Sequence, residues 1–144
     1  MNQKFIFIFT LLAALLTVNA IPFQKRKTEF IVCPGSPDGV FNVKMNPDPV
    51  ILGQNVTFDI FATVTDDVGD NGSVVVDFND ANDDSLLSQS FDLPSVIKAH
   101  SAINDSFSMP VKLSSLPEGY YIQISVISHT NGGPFKEVAC AITS

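Results

Sequence analysis

The chain is 144 residues long, 45% hydrophobic and 16% charged, with 8 Lys and Arg against 15 Asp and Glu and a formal net charge of −7. Basic residues nowhere alternate with aromatics, and so acidic a chain argues against nucleic acid as a partner. The length is that of one domain, able to bury roughly two-thirds of the surface its unfolded chain exposes.

At the N-terminus, Lys4 precedes the apolar run Phe5 to Leu16 and a Val18-Asn19-Ala20 ending whose residues suit signal peptidase. Residues 1–20 therefore read as a signal peptide, with the mature protein starting at Ile21. The rival reading is a membrane anchor, but the run has 12 residues where a spanning helix needs roughly 20. What remains carries 7 Lys and Arg against 15 Asp and Glu, a formal charge of −8. Residues 21–32 read as a leader ahead of a domain spanning 33–144. Within the leader, Lys25-Arg26-Lys27 either offers a trimming site to a dibasic-cleaving protease or is a solvated basic cluster.

The two cysteines, Cys33 and Cys140, stand near opposite ends of the mature chain, and a secretory route favours their pairing over two free thiols. Such a bridge would tie the ends of the domain together. Three Asn-x-Ser/Thr acceptors, Asn55, Asn71 and Asn104, fit the same compartment.

Downstream the apolar period is two, the mark of half-buried antiparallel strands. A first strand, Gly39 to Met45, sets Phe41, Val43 and Met45 on one face and ends at Asn46-Pro47-Asp48-Pro49, since neither proline can donate to a ladder. A second, Asn55 to Val64, alternates Val56, Phe58, Ile60, Ala62 and Val64 with Thr57, Asp59 and Thr63, and Phe61 alone breaks the pattern. Asp70-Asn71-Gly72 is a turn signal leading into Val74, Val76 and Phe78, which predicts a hairpin. An acidic loop from Asp77 to Asp84 is followed by a weakly patterned edge strand and loop with Leu86, Leu87, Phe91, Leu93, Val96 and Ile97. The next strand, near Ile103 to Leu113, presents Phe107, Met109, Val111 and Leu113, with Pro110 restricting it to a sheet edge or bulge. After the turn Pro117-Glu118-Gly119, a strand from Tyr120 to Ser128 offers Ile122, Ile124 and Val126 to the interior. Asn131-Gly132-Gly133 then turns into the last, Phe135 to Ile142. About seven strands at this spacing predict an all-β, immunoglobulin-like sandwich.

Catalytic and metal constellations are sparse. His100 and His129 lie near neither cysteine nor a Gly-x-Ser-x-Gly turn in sequence, and both read as surface residues. The run Asp77 to Asp84 has clustered oxygens, yet counted from Asp77 or Asp80 it lacks the glycine at position six and the glutamate at position twelve of a calcium loop. Two distant cysteines and two scattered histidines do not suggest zinc. The expectation is a protein without enzymatic activity, cofactor or metal. Its interior holds many of the chain's 12 Phe and no Trp, with almost no polar group on the inward faces. By pattern alone that interior is either a close-packed core or a dry cavity.

The run Cys33-Pro-Gly-Ser-Pro-Asp38-Gly39-Val40, then Met45-Asn-Pro47-Asp48-Pro49 and Gly53-Gln54-Asn55-Val56-Thr57, resembles the start of the ML lipid-recognition domain. Leu116-Pro117-Glu118-Gly119-Tyr120-Tyr121 and Val138-Ala139-Cys140 resemble that family's last two strands. The family includes sterol carriers of the Niemann-Pick type C kind and fungal phosphatidylglycerol/phosphatidylinositol transfer proteins, and the Pro-Asp-Pro segment looks more like the fungal branch. The resemblance implies an open two-sheet sandwich with an apolar pocket between the sheets and a Cys33–Cys140 bridge joining first strand to last. It departs from the family in lacking further disulfides, with Asp48 standing where animal members place a cysteine.

On this resemblance, Phe58, Ile60, Val76, Phe78, Phe107, Met109, Ile122, Ile124 and Val126 are expected to line the pocket, with Leu87, Phe91, Val96 and Ile97 at its rim. The implied function is intermembrane transfer of a sterol or phospholipid, its apolar part shielded at roughly 25 cal/mol per Å² buried. The expected setting is the secretory pathway, with delivery to the extracellular space or a vacuolar, lysosome-like lumen. A monomer suffices, and the negative surface suits transient membrane contact or an acidic lumen. The competing class is a secreted protein–protein interaction module with a solid core; a hydrolase is disfavoured for want of a nucleophile–base pair.

Overall fold

The computed structural model describes residues 27–36, 40–129 and 135–143. The expected signal peptide, the Lys25-Arg26 site and the Asn131-Gly132-Gly133 turn lie outside the described residues. Eight strands follow in chain order: β1 (Phe30–Val32), β2 (Phe41–Asn46), β3 (Asn55–Thr63), β4 (Ser73–Asn79), β5 (Ser85–Asp92), β6 (Ala102–Pro110), β7 (Tyr121–His129) and β8 (Phe135–Thr143). They form two antiparallel sheets, one ordered β1-β8-β7-β4-β5 and the other β2-β3-β6. Period-two alternation puts Val56, Phe58, Ile60 and Ala62 of β3 against Val74, Val76 and Phe78 of β4 and Ile122, Ile124 and Val126 of β7, all buried between the sheets.

The described residues form eight strands, in keeping with the about seven expected. Two details differ. The first strand lies before Cys33: Phe30–Val32, read as leader, pairs with Ala141–Thr143 as β1. A three-residue strand carries too little alternation to be seen in sequence. Asp70-Asn71-Gly72 does turn the chain, with Gly72 N–H donating to the Gly69 carbonyl at 3.0 Å, but β3 and β4 belong to different sheets and form no hairpin. The turn lies inside a connection that crosses the sandwich, where a Cβ on Gly69 would stand 2.8 Å from the His129 carbonyl oxygen. The hairpin is instead β4–β5, closed by a loop whose acid organises its own backbone: Asp80 Oδ1 accepts the amides of Asn82 at 2.7 Å and Asp84 at 3.0 Å. Asp77 to Asn79 are the last residues of β4.

The β1–β8 edge of the five-stranded sheet is fastened covalently within that sheet. Cys33 is bonded to Cys140 across a Cα separation of 5.4 Å, and Cys33 N–H donates to the Cys140 carbonyl at 3.2 Å. The bridge shields Ser125, whose hydroxyl bonds Glu137 Oε2 at 2.8 Å on the outer face of the five-stranded sheet. A bulge opposite Val126/Ile127 puts Val138 out of step, so Val138 to Ala141 are all buried. Ahead of β1, the Thr28 amide and hydroxyl donate to the Asp48 carboxylate at 2.6–3.1 Å, joining the strand's approach to the β2–β3 connection. Asp48 thus supplies a polar tie between the edges of the two sheets. Its charge, after burial, helps push the neighbouring Tyr120 hydroxyl above its ordinary pKa.

The bridge spans 107 residues of sequence, a loop length at which chain entropy assigns ~4.8 kcal/mol. Replacing both cysteines by serine is expected to lower the unfolding free energy by about that amount in urea titration, with native strand signals retained at low denaturant.

Candidate functional site: the intersheet interior and its open side

All nine residues expected to line a pocket sit on inward rows and are buried: Phe58 and Ile60 on β3, Val76 and Phe78 on β4, Phe107 and Met109 on β6, and Ile122, Ile124 and Val126 on β7. Register sets Phe58 opposite Phe107, Val76 opposite Ile124 and Phe78 opposite Ile122, so each sheet contributes one continuous apolar layer. Val56, Val74, Ile103 and Ala141 belong to the same layers, though the lining expected from sequence omits them. Alternation treats every inward position alike and contains no signal that separates them.

Along the other long side, β5 and β6 are the terminal strands of their sheets. Leu87 and Phe91 lie on the inward row of β5 and are only half-buried. The Phe91 ring reaches across to Phe107 of β6, centroids 5.2 Å apart and planes tilted by 43°. The other expected rim residues, Val96 and Ile97, lie in the β5–β6 connection. Ile97 exchanges backbone hydrogen bonds with Val68 at 2.8 and 3.0 Å, and Val96 is 43% exposed. The rim is therefore two structures, an aromatic-aliphatic lip on β5 and a clasped connection at one end of it.

Two residues on this lip are polar, which corrects the expectation of nearly apolar inward faces. Gln89 lies between Leu87 and Phe91, and Asp105, opposite Ile60, lies between Ile103 and Phe107; both are exposed. A polar side chain on an inward row is tolerated where the row meets water, at a free edge, and would be costly in the sealed centre. The spacing Leu87-x-Gln89-x-Phe91 and Ile103-x-Asp105-x-Phe107 holds this signal in the sequence. No Lys or Arg occurs on either strand.

The clasp at the end of the lip is ionic as well as backbone. Asp67 accepts the Ala99 amide at 2.8 Å and Lys98 Nζ at 2.9 Å, and the nearby Asp66 pairs with Lys136 at 2.8 Å. The Ala99 hydrogen bond first, and Lys98 second, hold the Asp67 carboxyl below its ordinary 3.8.

A concavity of about 700 Å³ lies open on the outer face of the five-stranded sheet, lined by Asp77, Asn79, Asp83, Tyr121, Gln123 and Glu137 beside the disulfide. Tyr121 donates to Asp83 at 2.6 Å, which is the main reason its hydroxyl is pushed up to about 12. This acidic, hydrogen-bonded surface is no place for an apolar cargo. His100 is exposed in the β5–β6 connection, and His129 packs its ring edge-on against Phe135 at 4.5 Å. Asn55, Asn71 and Asn104 are all exposed.

No protein-family model and no curated protein sequence matches the chain. Among solved structures, the C-terminal domain of wzt is similar over 80% of this chain and 73% of that one, at 11% identity and a TM-score of 0.51. Chicken MD-1 complexed with lipid IVa is similar over 79% of this chain and 85% of that one, at 16% identity and a TM-score of 0.49. The likeness to the wzt domain is one of fold, a two-sheet β-sandwich.

Because the Asp67 carboxyl sits below its unfolded value, its contribution is complete above pH 3.8 and disappears as pH falls through the lower, folded value. Hydrogen exchange is expected to show the Ala99 amide equally protected at pH 7 and 5 and to lose protection below about pH 4, with Asp67→Asn flattening that pH dependence.

Proposed function

We propose that this chain is a secreted, monomeric lipid carrier that admits one lipid between its sheets through the β5–β6 side and releases it during transient membrane contact. The observation that carries the reading is the asymmetry of the sandwich. One long side is tied between the sheets by the Thr28–Asp48 bonds, while the other ends in half-buried Leu87 and Phe91 beside a wholly apolar interior. The resemblance to the ML lipid-recognition family points the same way. Opening along β5–β6 needs no strand to leave its ladder, since these two edges share only side-chain contact such as Phe91 on Phe107.

The lip also bears on cargo. Asp105 and Gln89 can accept and donate hydrogen bonds to a hydroxyl head, and the absence of Lys and Arg from β5 and β6 leaves nothing there to neutralise a phosphate. Of the two cargo classes the family resemblance implies, a sterol with its single hydroxyl suits this lip better than phosphatidylglycerol or phosphatidylinositol. The mechanism is binding and release without catalysis, in an extracellular or vacuolar, lysosome-like setting reached through the expected signal peptide.

Native mass spectrometry of the secreted, deglycosylated protein, followed by organic extraction, is expected to release stoichiometric sterol. A protein that stays ligand-free after incubation with mixed liposomes would instead be an interaction module with a solid core. Asp105→Ala is expected to weaken sterol binding about tenfold, the worth of one charge-assisted hydrogen bond of about 1.5 kcal/mol, and Asp105→Lys to raise the share of anionic phospholipid extracted.

A further inference from the structure

We infer that the outward-facing Phe61 is a platform for the N-glycan carried by Asn104, so that the sugar forms part of the folded surface. Phe61 interrupts the polar outer row of β3 and is 43% exposed on the open face of the three-stranded sheet. Register places Asn104, in the acceptor triplet Asn104-Asp105-Ser106, directly opposite it on β6, and directly opposing side chains on one sheet face are about 5 Å apart at Cβ. On its other side Phe61 faces Asn42 of β2. The ring and these neighbours line one shallow hollow of about 140 Å³, together with Lys44 and Asp59.

That composition is what a pyranose ring requires. An aromatic surface meets its C–H face, while amide, ammonium and carboxylate groups around the rim pair with its hydroxyls and N-acetyl group. The Asp59 carboxylate is held in place by the Ser106 hydroxyl, from the same triplet. A sugar tethered to the opposing residue finds this surface at high effective concentration without a free ligand's loss of freedom. The other acceptors have no such partner: Asn55 opposes Pro110, and Asn71 sits in the β3–β4 connection outside any ladder. The inference requires passage through the secretory pathway and is independent of the cargo.

The test uses the secreted full chain carrying Asn55→Gln and Asn71→Gln, so that Asn104 is the sole acceptor among the three. Glycopeptide mass spectrometry is expected to find Asn104 occupied. Asn104→Gln is expected to lower the Tm by about 4 °C when Phe61 is present and by little when it is replaced in Phe61→Ser. As a second measurement, the N-acetyl and ring protons of the first sugar should move upfield in NMR spectra, shifted by the Phe61 ring. An unoccupied Asn104, an equal Tm loss in both backgrounds, or sugar protons at their free-glycan positions would each overturn the proposal.

Discussion

Two sheets stacked about 10 Å apart must seal both long sides or leave the interior within reach of solvent. In this chain the seal is made on one side. Asp48 fastens the approach to β1 to the β2–β3 connection, while the Cys33–Cys140 bridge stiffens the β1–β8 edge within the five-stranded sheet. The tie between the sheets is the Asp48 carboxylate, which holds three hydrogen bonds. The opposite side has only side-chain contact, in which Phe91 leans on Phe107. Access to the interior depends on this difference, because a sandwich tied along both sides would present its apolar layers to nothing.

The open side is graded along its length. At one end the backbone bridge between Val68 and Ile97, with Lys98 and Ala99 bonded to Asp67, holds the two crossing connections together. Toward the middle the inward rows become amphipathic, with Gln89 among Leu87 and Phe91 and Asp105 between Ile103 and Phe107. Such a lip meets water with its polar members while the aliphatic and aromatic members stay against the core. It is the only part of the inward rows of β5 and β6 where a hydroxyl could find partners without entering the dry centre.

The outer faces differ as sharply. The five-stranded sheet carries an acidic, self-bonded surface around Tyr121 and Asp83, whereas the three-stranded sheet carries Asn55, Asn104 and the exposed Phe61. A glycan resting on Phe61 would cover the larger apolar group on that face and leave the lip clear, since Asn104 and Asp105 point to opposite sides of β6.

Much of this was legible in the linear order of residues. Period-two alternation in Val56 to Ala62 and Ile122 to Val126 specifies half-buried strands because successive side chains must point to opposite faces. Pro110 specifies an edge because it has no amide to donate, and β6 is an edge. Gln89 and Asp105 were equally readable, as polar residues at inward spacing, once free edges are known to tolerate them. What the sequence could not decide was which edges meet. The turn at Asp70-Asn71-Gly72 has the chemistry of a hairpin, yet the chain crosses between sheets there, since turn residues set the local backbone and not the sheet that receives the next strand. The short β1 and the pairing of Phe91 with Phe107 exist only because residues distant in sequence are brought together. The strands were therefore determined locally, and the tied and open sides were decided by tertiary structure, because closure depends on long-range partners that no local period encodes.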